Sequence, residues 1–228
     1  MKQTTNIKIV EGSTYAKALS KLKKSGQDRP MTILELAKVR INNSEYFDLG
    51  FDTCNAVVYS GTGKFKVITQ CKELIDLKPD FNNYCLATDY SKIQSSEIEI
   101  DDTFNHNLTY KEVLKHKGWL ALFENDKQTL KKYADIVFKS KERAMGFYIC
   151  NIKDTLRGVW LYDMSNYSNV DCVKYLSSGA RFLLKLPSSL DITKKQSSEF
   201  DRGYNQCKKD IKKILTEHQM LDVWEIIK

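Results

Sequence analysis

Ala56-Val-Val-Tyr59 and Lys64-Phe-Lys-Val-Ile68 stand on either side of Ser60-Gly-Thr-Gly63, and no other feature narrows the fold so far. Both runs are rich in β-branched and aromatic residues, which suit a pleated surface, and the glycines between them tolerate the positive φ of a tight connection. The pattern predicts a β-hairpin. Gly61-Thr-Gly-Lys64 also invites comparison with a phosphate-binding loop. Such a loop needs glycine five positions ahead of the Gly-Lys pair and Ser or Thr behind it, where this chain has Val58 and Phe65.

Helical signals precede the hairpin. Ala18, Leu19 and Leu22 share one face of Tyr15–Ser25, and Lys17, Lys21, Lys23 and Lys24 occupy the rest. Gly26-Gln-Asp-Arg-Pro30 ends that helix. Thr32 and Glu35 then have the spacing of a capping box, which predicts a second helix over residues 32–42 with Ile33, Leu36 and Ala37 inward. From Tyr46 to Ile100 the texture is that of strands, with a short helix or turn between Cys71 and Asp80.

Beyond residue 105 the alternation repeats. Thr109 and Glu112 form a second capping box, and Gly118 ends or kinks the helix they open, leaving His116 and Lys117 to complement its C-terminal dipole. Trp119-Leu-Ala-Leu-Phe123 is an apolar core run. Leu130, Tyr133, Ala134, Val137 and Phe138 recur at helical spacing behind a cap at Asn125 or Asp126. Met145–Cys150, Leu156–Tyr162 and Ala180–Leu186 read as strands, Asp163–Gly179 as a long polar loop, and Ser198–Lys228 as a terminal helix. The expectation is an α+β chain of antiparallel sheets with packed helices and a C-terminal helix. Residues 1–105 and 106–228 are two regions or one continuous domain.

Composition sets the function classes. With 228 residues and 42% hydrophobic content the chain can bury a core, and no apolar run reaches the ~20 residues of a membrane span. The start carries no apolar segment of the kind that directs secretion, so the expected compartment is the cytoplasm of a bacterial host. Cys54, Cys71, Cys85, Cys150, Cys172 and Cys207 are scattered without a CxxC pair and read as buried thiols. The net charge of +7 is concentrated early: residues 1–40 hold nine cations against three acids, and residues 41–100 five against nine.

Motifs for catalysis are absent from the sequence. His106, His116 and His218 lack a second histidine or cysteine at metal spacing, and Asp101-Asp102, on extended backbone, point to opposite faces. No cofactor and no metal ligand are expected.

The most distinctive pattern joins Arg157-Gly-Val-Trp-Leu-Tyr-Asp-Met-Ser-Asn-Tyr-Ser-Asn169 to Ser178-Gly-Ala-Arg-Phe-Leu-Leu-Lys-Leu186. A tryptophan-bearing strand, a Ser/Asn/Tyr loop and a closing Gly-x-Arg strand resemble the end of C-type-lectin-like folds, including formylglycine-type and retroelement-diversified binding modules. The family's Gly-x-Arg-Pro is here Gly179-Ala-Arg-Phe182. The resemblance implies a ligand surface on Tyr162, Asp163, Asn166, Tyr167 and Asn169. Calcium would draw on Asp163, Asn166, Asn169 and Asp171, a sparse set. In overall style the Lys/Asn/Ser-rich, proline-poor chain resembles small proteins of phages and mobile elements of low-GC Gram-positive bacteria, anti-CRISPR inhibitors among them.

These readings lead to an expected function in non-catalytic protein binding. The chain would act as a phage-type inhibitor or adaptor on a host protein, through the lysine face (Lys17, Lys21, Lys23, Lys24) and the 162–169 loop. Two alternatives stand beside it: nucleic-acid binding through the same lysines, and a small hydrolase whose site assembles only in three dimensions.

Overall fold

The fold closes on itself through its first and last described strands. In a computed structural model that describes residues 7–139, 143–163 and 167–185, β1 (Ile7–Gly12) pairs with β10 (Ala180–Lys185) in a two-stranded sheet. Between them lie α1 (Tyr15–Lys24), α2 (Ile33–Asn42), β2 (Phe51–Tyr59), β3 (Lys64–Ile68), α3 (Lys72–Ile75), β4 (Leu86–Ala87), β5 (Glu97–Glu99) and β6 (Asn107–Leu108). These are followed by α4 (Tyr110–Val113), α5 (Lys117–Leu122), α6 (Lys127–Val137), β7 (Met145–Tyr148), β8 (Thr155–Leu161) and β9 (Val170–Asp171). The second sheet has the order β5-β3-β2-β8-β9-β7-β6, with β4 also on β8.

β2 is the axis of this sheet because every one of its nine residues is buried. Val57 and Tyr59 join the larger apolar cluster, with Leu36, Trp119, Phe123, Tyr133 and Phe147, while Ala56 and Val58 join a second, with Tyr15, Leu19, Leu22 and Phe182. A strand covered on both faces needs an unbroken apolar run, and Ala56-Val-Val-Tyr59 is one. Its antiparallel partners are β3, through the hairpin at Ser60–Gly63, and β8. Gly61 and Gly63 have φ of 76° and 80°, the left-handed values the turn requires. The sheet is antiparallel throughout except where β7 runs parallel to β9.

Both capping boxes form. Thr32 Oγ1 accepts from Glu35 N at 3.2 Å and Glu35 Oε2 from Thr32 N at 2.8 Å, and Arg29 holds the same carboxylate in a two-toothed ion pair at 2.7 Å. The Thr109–Glu112 box opens only α4, which stops at Val113. His116 then starts a new helix. Its Nδ1 accepts from Trp119 N at 3.3 Å, so the imidazole caps an N-terminus instead of complementing a C-terminus, and Gly118 lies inside α5. A Cβ on Gly118 would come within 2.7 Å of the Phe147 ring, and this close approach explains the glycine.

Cys54, Cys71 and Cys172 are buried thiols, Cys85 and Cys150 half-buried ones, and no disulfide joins them. Residues 7–184 make one unit whose sheet draws strands from either side of residue 105. The expected C-terminal helix, Ser198–Lys228, and Cys207 and His218 lie outside the described residues. No described helix is long and apolar enough to cross a membrane.

Candidate binding surface

An irregularity in β2 organises one part of the surface. The β2–β8 register shifts between Asp52, opposite Trp160, and Ala56, opposite Gly158, so β2 carries extra residues there. The bulge is pinned from all sides. Thr53 Oγ1 donates to Val159 O at 2.8 Å, Tyr15 Oη to Thr53 O at 2.8 Å, and Asn55 Oδ1 accepts from Ile33 N, in the first turn of α2, at 2.7 Å. Asp52 is thereby held where Lys174 Nζ reaches both of its carboxylate oxygens, at 3.0 and 2.9 Å, and where Arg181 N donates to it at 2.9 Å. Burial pushes the Asp52 carboxyl up from its ordinary range and Lys174 opposes that push.

Lys174 also lies 4.5 Å from the centre of the Trp160 ring, and Trp160 packs on Tyr162 with ring centres 4.2 Å apart. The next residue, Tyr175, packs on Tyr84 at 4.8 Å and covers the Arg157 guanidinium at 5.0 Å. Segment 171–176 thus supplies both groups. Its shape is set by Asp171, whose Oδ1 accepts from Val173 N and Lys174 N.

The polar segment after β8 is held firmly at its base. Tyr162 N donates to Asn169 O at 2.9 Å, Ser168 N to Ala144 O at 2.9 Å, and Tyr167 bridges Ala144 in parallel. Beneath it runs a buried polar chain. Arg40 Nη1 donates to Tyr133 Oη at 2.8 Å, Tyr133 Oη lies 2.6 Å from Ser168 Oγ, and Arg40 Nη2 donates to Leu49 O. Arg40 is wholly buried.

The residues singled out in the sequence fare differently. Tyr162 and Asp163 are half-buried, Tyr167 is 47% exposed, and Asn166 lies outside the described residues. Asn169 is buried, with Oδ1 accepting from Gly146 N, so its side chain holds the base of the loop rather than facing a ligand. Of the four residues considered for calcium, Asn169 Oδ1 and Asp171 Oδ1 accept from backbone amides. No group of three or more His, Cys, Asp or Glu suited to a metal occurs among the described residues. On the lysine face Lys17, Lys21, Lys23 and Lys24 are all exposed, and Lys21 Nζ donates to Glu11 O at 2.9 Å and Lys23 Nζ to Ile75 O at 2.7 Å. These two ammonium groups clip α1 to the body. Sequence reasoning missed Tyr84, Arg157, Trp160, Lys174 and Tyr175 as surface partners; all of these except Tyr84 lie within the stretch it had marked.

No family model and no curated protein matches the chain. A solved structure does. It is described as "Accommodation of massive sequence variation in Nanoarchaeota by the C-type lectin fold", is 14% identical, and superposes with a TM-score of 0.61 over 81% of this chain and 99% of that one. This chain has a C-type-lectin-like fold. The β8–polar segment–β10 succession that suggested it is present, and the first and last described strands, β1 and β10, pair with each other.

Proposed function

We propose that the chain is a non-catalytic protein-binding module whose contact surface is carried by β8, the 162–169 segment and the 171–176 segment. One observation carries this reading: Tyr84, Trp160, Tyr162, Tyr167 and Tyr175, five partly or largely exposed aromatic rings, are set on backbone that buried bonds hold rigid. Tyrosine and tryptophan on a fixed support give large amphipathic contact area at low entropic cost. The related structure accommodates sequence variation on the same fold, which agrees with a body that tolerates exchange of its surface residues. Three of the buried titratable groups are engaged in holding the fold: Asp52 in its ion pair, His116 in a helix cap, Arg40 beneath the loop.

The partner in this reading is a protein of a host cell, met in the cytoplasm, with the chain acting as an inhibitor or adaptor in the manner of phage and mobile-element proteins. Its Lys/Asn/Ser-rich, proline-poor composition supports that origin. The test is affinity capture from bacterial lysate with the wild-type chain and with Tyr162→Ala/Tyr167→Ala, partners being read by mass spectrometry. A protein recovered by the wild type and lost with the variant is expected. Equal recovery by both, or recovery of nucleic acid that falls steeply with salt, would replace this reading by another surface or by the lysine face.

A further inference from the structure

Arg157 is only 5% exposed, yet it has not been given the acceptors its guanidinium requires. Nη1 donates to Tyr84 O at 3.1 Å, and that carbonyl is shared with Leu176 N at 3.0 Å. Nε is buried without a partner, and among the described residues no carboxylate forms an ion pair with Arg157. A guanidinium has five N–H donors in a planar fork, and leaving them unmatched while dry is costly. The ring over it is exposed to solvent: Tyr175 is 49% exposed and packs on Tyr84, 63% exposed, while the backbone of both is fixed by the bonds through Tyr84 O and the turn at Asp171. Val173, two residues before Tyr175, adds an exposed apolar group.

We propose that Arg157, roofed by the Tyr84–Tyr175 pair, is a docking point for a single carboxylate carried on an apolar segment of a protein partner. This deepens the protein-binding reading and rests on it. Charge and shape choose the ligand. A side-chain carboxylate matches one guanidinium fork, and the flanking rings offer flat surface for apolar neighbours on the same segment. A phosphate group asks for several cations, and the adjacent ammonium, Lys174, is already neutralised by Asp52. In this proposal the ligand reaches the fork past the exposed Tyr175 ring, and β8 stays in place.

The probe is the blocked peptide Ac-Leu-Asp-Leu-NH2, with Ac-Leu-Asn-Leu-NH2 and inorganic phosphate as comparisons, titrated into the 15N-labelled chain while the Arg157 Nε–H and the ring signals of Tyr84 and Tyr175 are followed. The aspartate peptide is expected to move these signals saturably and to bind about tenfold or more tightly than its asparagine counterpart, as a charge-assisted pair demands. Arg157→Lys should remove most of the discrimination while keeping the charge. Equal binding of the two peptides, shifts confined to other residues, or tighter binding of phosphate each overturns the assignment. Capture of host protein through Tyr162 and Tyr167 is read separately, so it can succeed where the carboxylate site fails.

Discussion

Lys174 and Asp52, 122 positions apart in the chain, form a two-toothed ion pair that ties the surface segment 171–176 to the bulge in β2. Both are largely buried, with side-chain exposures of 18% and 7%. Breaking such a pair from one side strands the other charge, which costs about 3–5 kcal/mol, whereas removing both charges costs far less. Lys174→Met should therefore lower the unfolding free energy in urea by more than Lys174→Met/Asp52→Asn does. A double variant less stable than the single one would show that the pair is not coupled as the geometry requires.

Gly50 lies against Trp160. A Cβ at this position would stand 2.6 Å from Cζ2 of the indole, closer than packed atoms approach. Gly50→Ala must shift the Trp160 ring, on which Lys174 rests, or displace the start of β2, and overpacking of this kind costs about 1–3 kcal/mol. The expected readout is a changed tryptophan emission together with a lower urea midpoint. An unchanged spectrum and midpoint would mean that the indole has room to move.

Much of this framework was legible in the residues because its signals are local. The Thr32–Glu35 and Thr109–Glu112 boxes, the hairpin at Ser60–Gly63 and the helical stripe Leu130–Val137 each depend on neighbours within a few positions, and each is present. β1 was not legible. Its burial alternates only weakly, and its partner strand begins at Ala180. Asn169 looked like a ligand-facing amide because it sits among Tyr and Asn. Its actual duty, accepting from Gly146 N, depends on β7, which no reading of the loop alone reveals. Arg157 was masked in the same way, since its burial beneath Tyr175 follows from the path of segment 171–176.

His116 predicts the acid limb of stability. Burial against Phe104 and Phe147 pushes its pKa down from 6.5 to about 4, although the nearby Asp101 carboxylate pulls the other way, and the cap at Trp119 N uses the neutral nitrogen this leaves. The unfolded chain therefore binds the proton first. The stability this group contributes is complete above pH 6.5 and is lost as pH falls towards 4, roughly 3 kcal/mol in all. His116→Asn keeps an acceptor for the cap but does not titrate. Its unfolding free energy should fall less steeply between pH 6.5 and 4 than that of the wild type. Parallel slopes would assign the acid sensitivity to other groups.

Tyr133 predicts how the polar segment is kept in place. Its hydroxyl lies between Arg40 Nη1 and Ser168 Oγ, and no water-exposed route serves either group, since Arg40, Tyr133 and Ser168 are all wholly buried. Tyr133→Phe keeps the ring that fills the cluster with Trp119 and Phe123 but leaves a guanidinium nitrogen and a hydroxyl without their partner, at a cost of about 1–3 kcal/mol. Ser168→Ala removes only the outer member and should cost less. The sharper consequence is local: Tyr133→Phe should speed hydrogen exchange at the Ser168 and Tyr162 amides, which close the base of the loop on Ala144 O and Asn169 O, more than at the β2 amides. A uniform increase across both would make Tyr133 a general core residue and remove the buried Arg40–Tyr133–Ser168 chain from any part in presenting the surface.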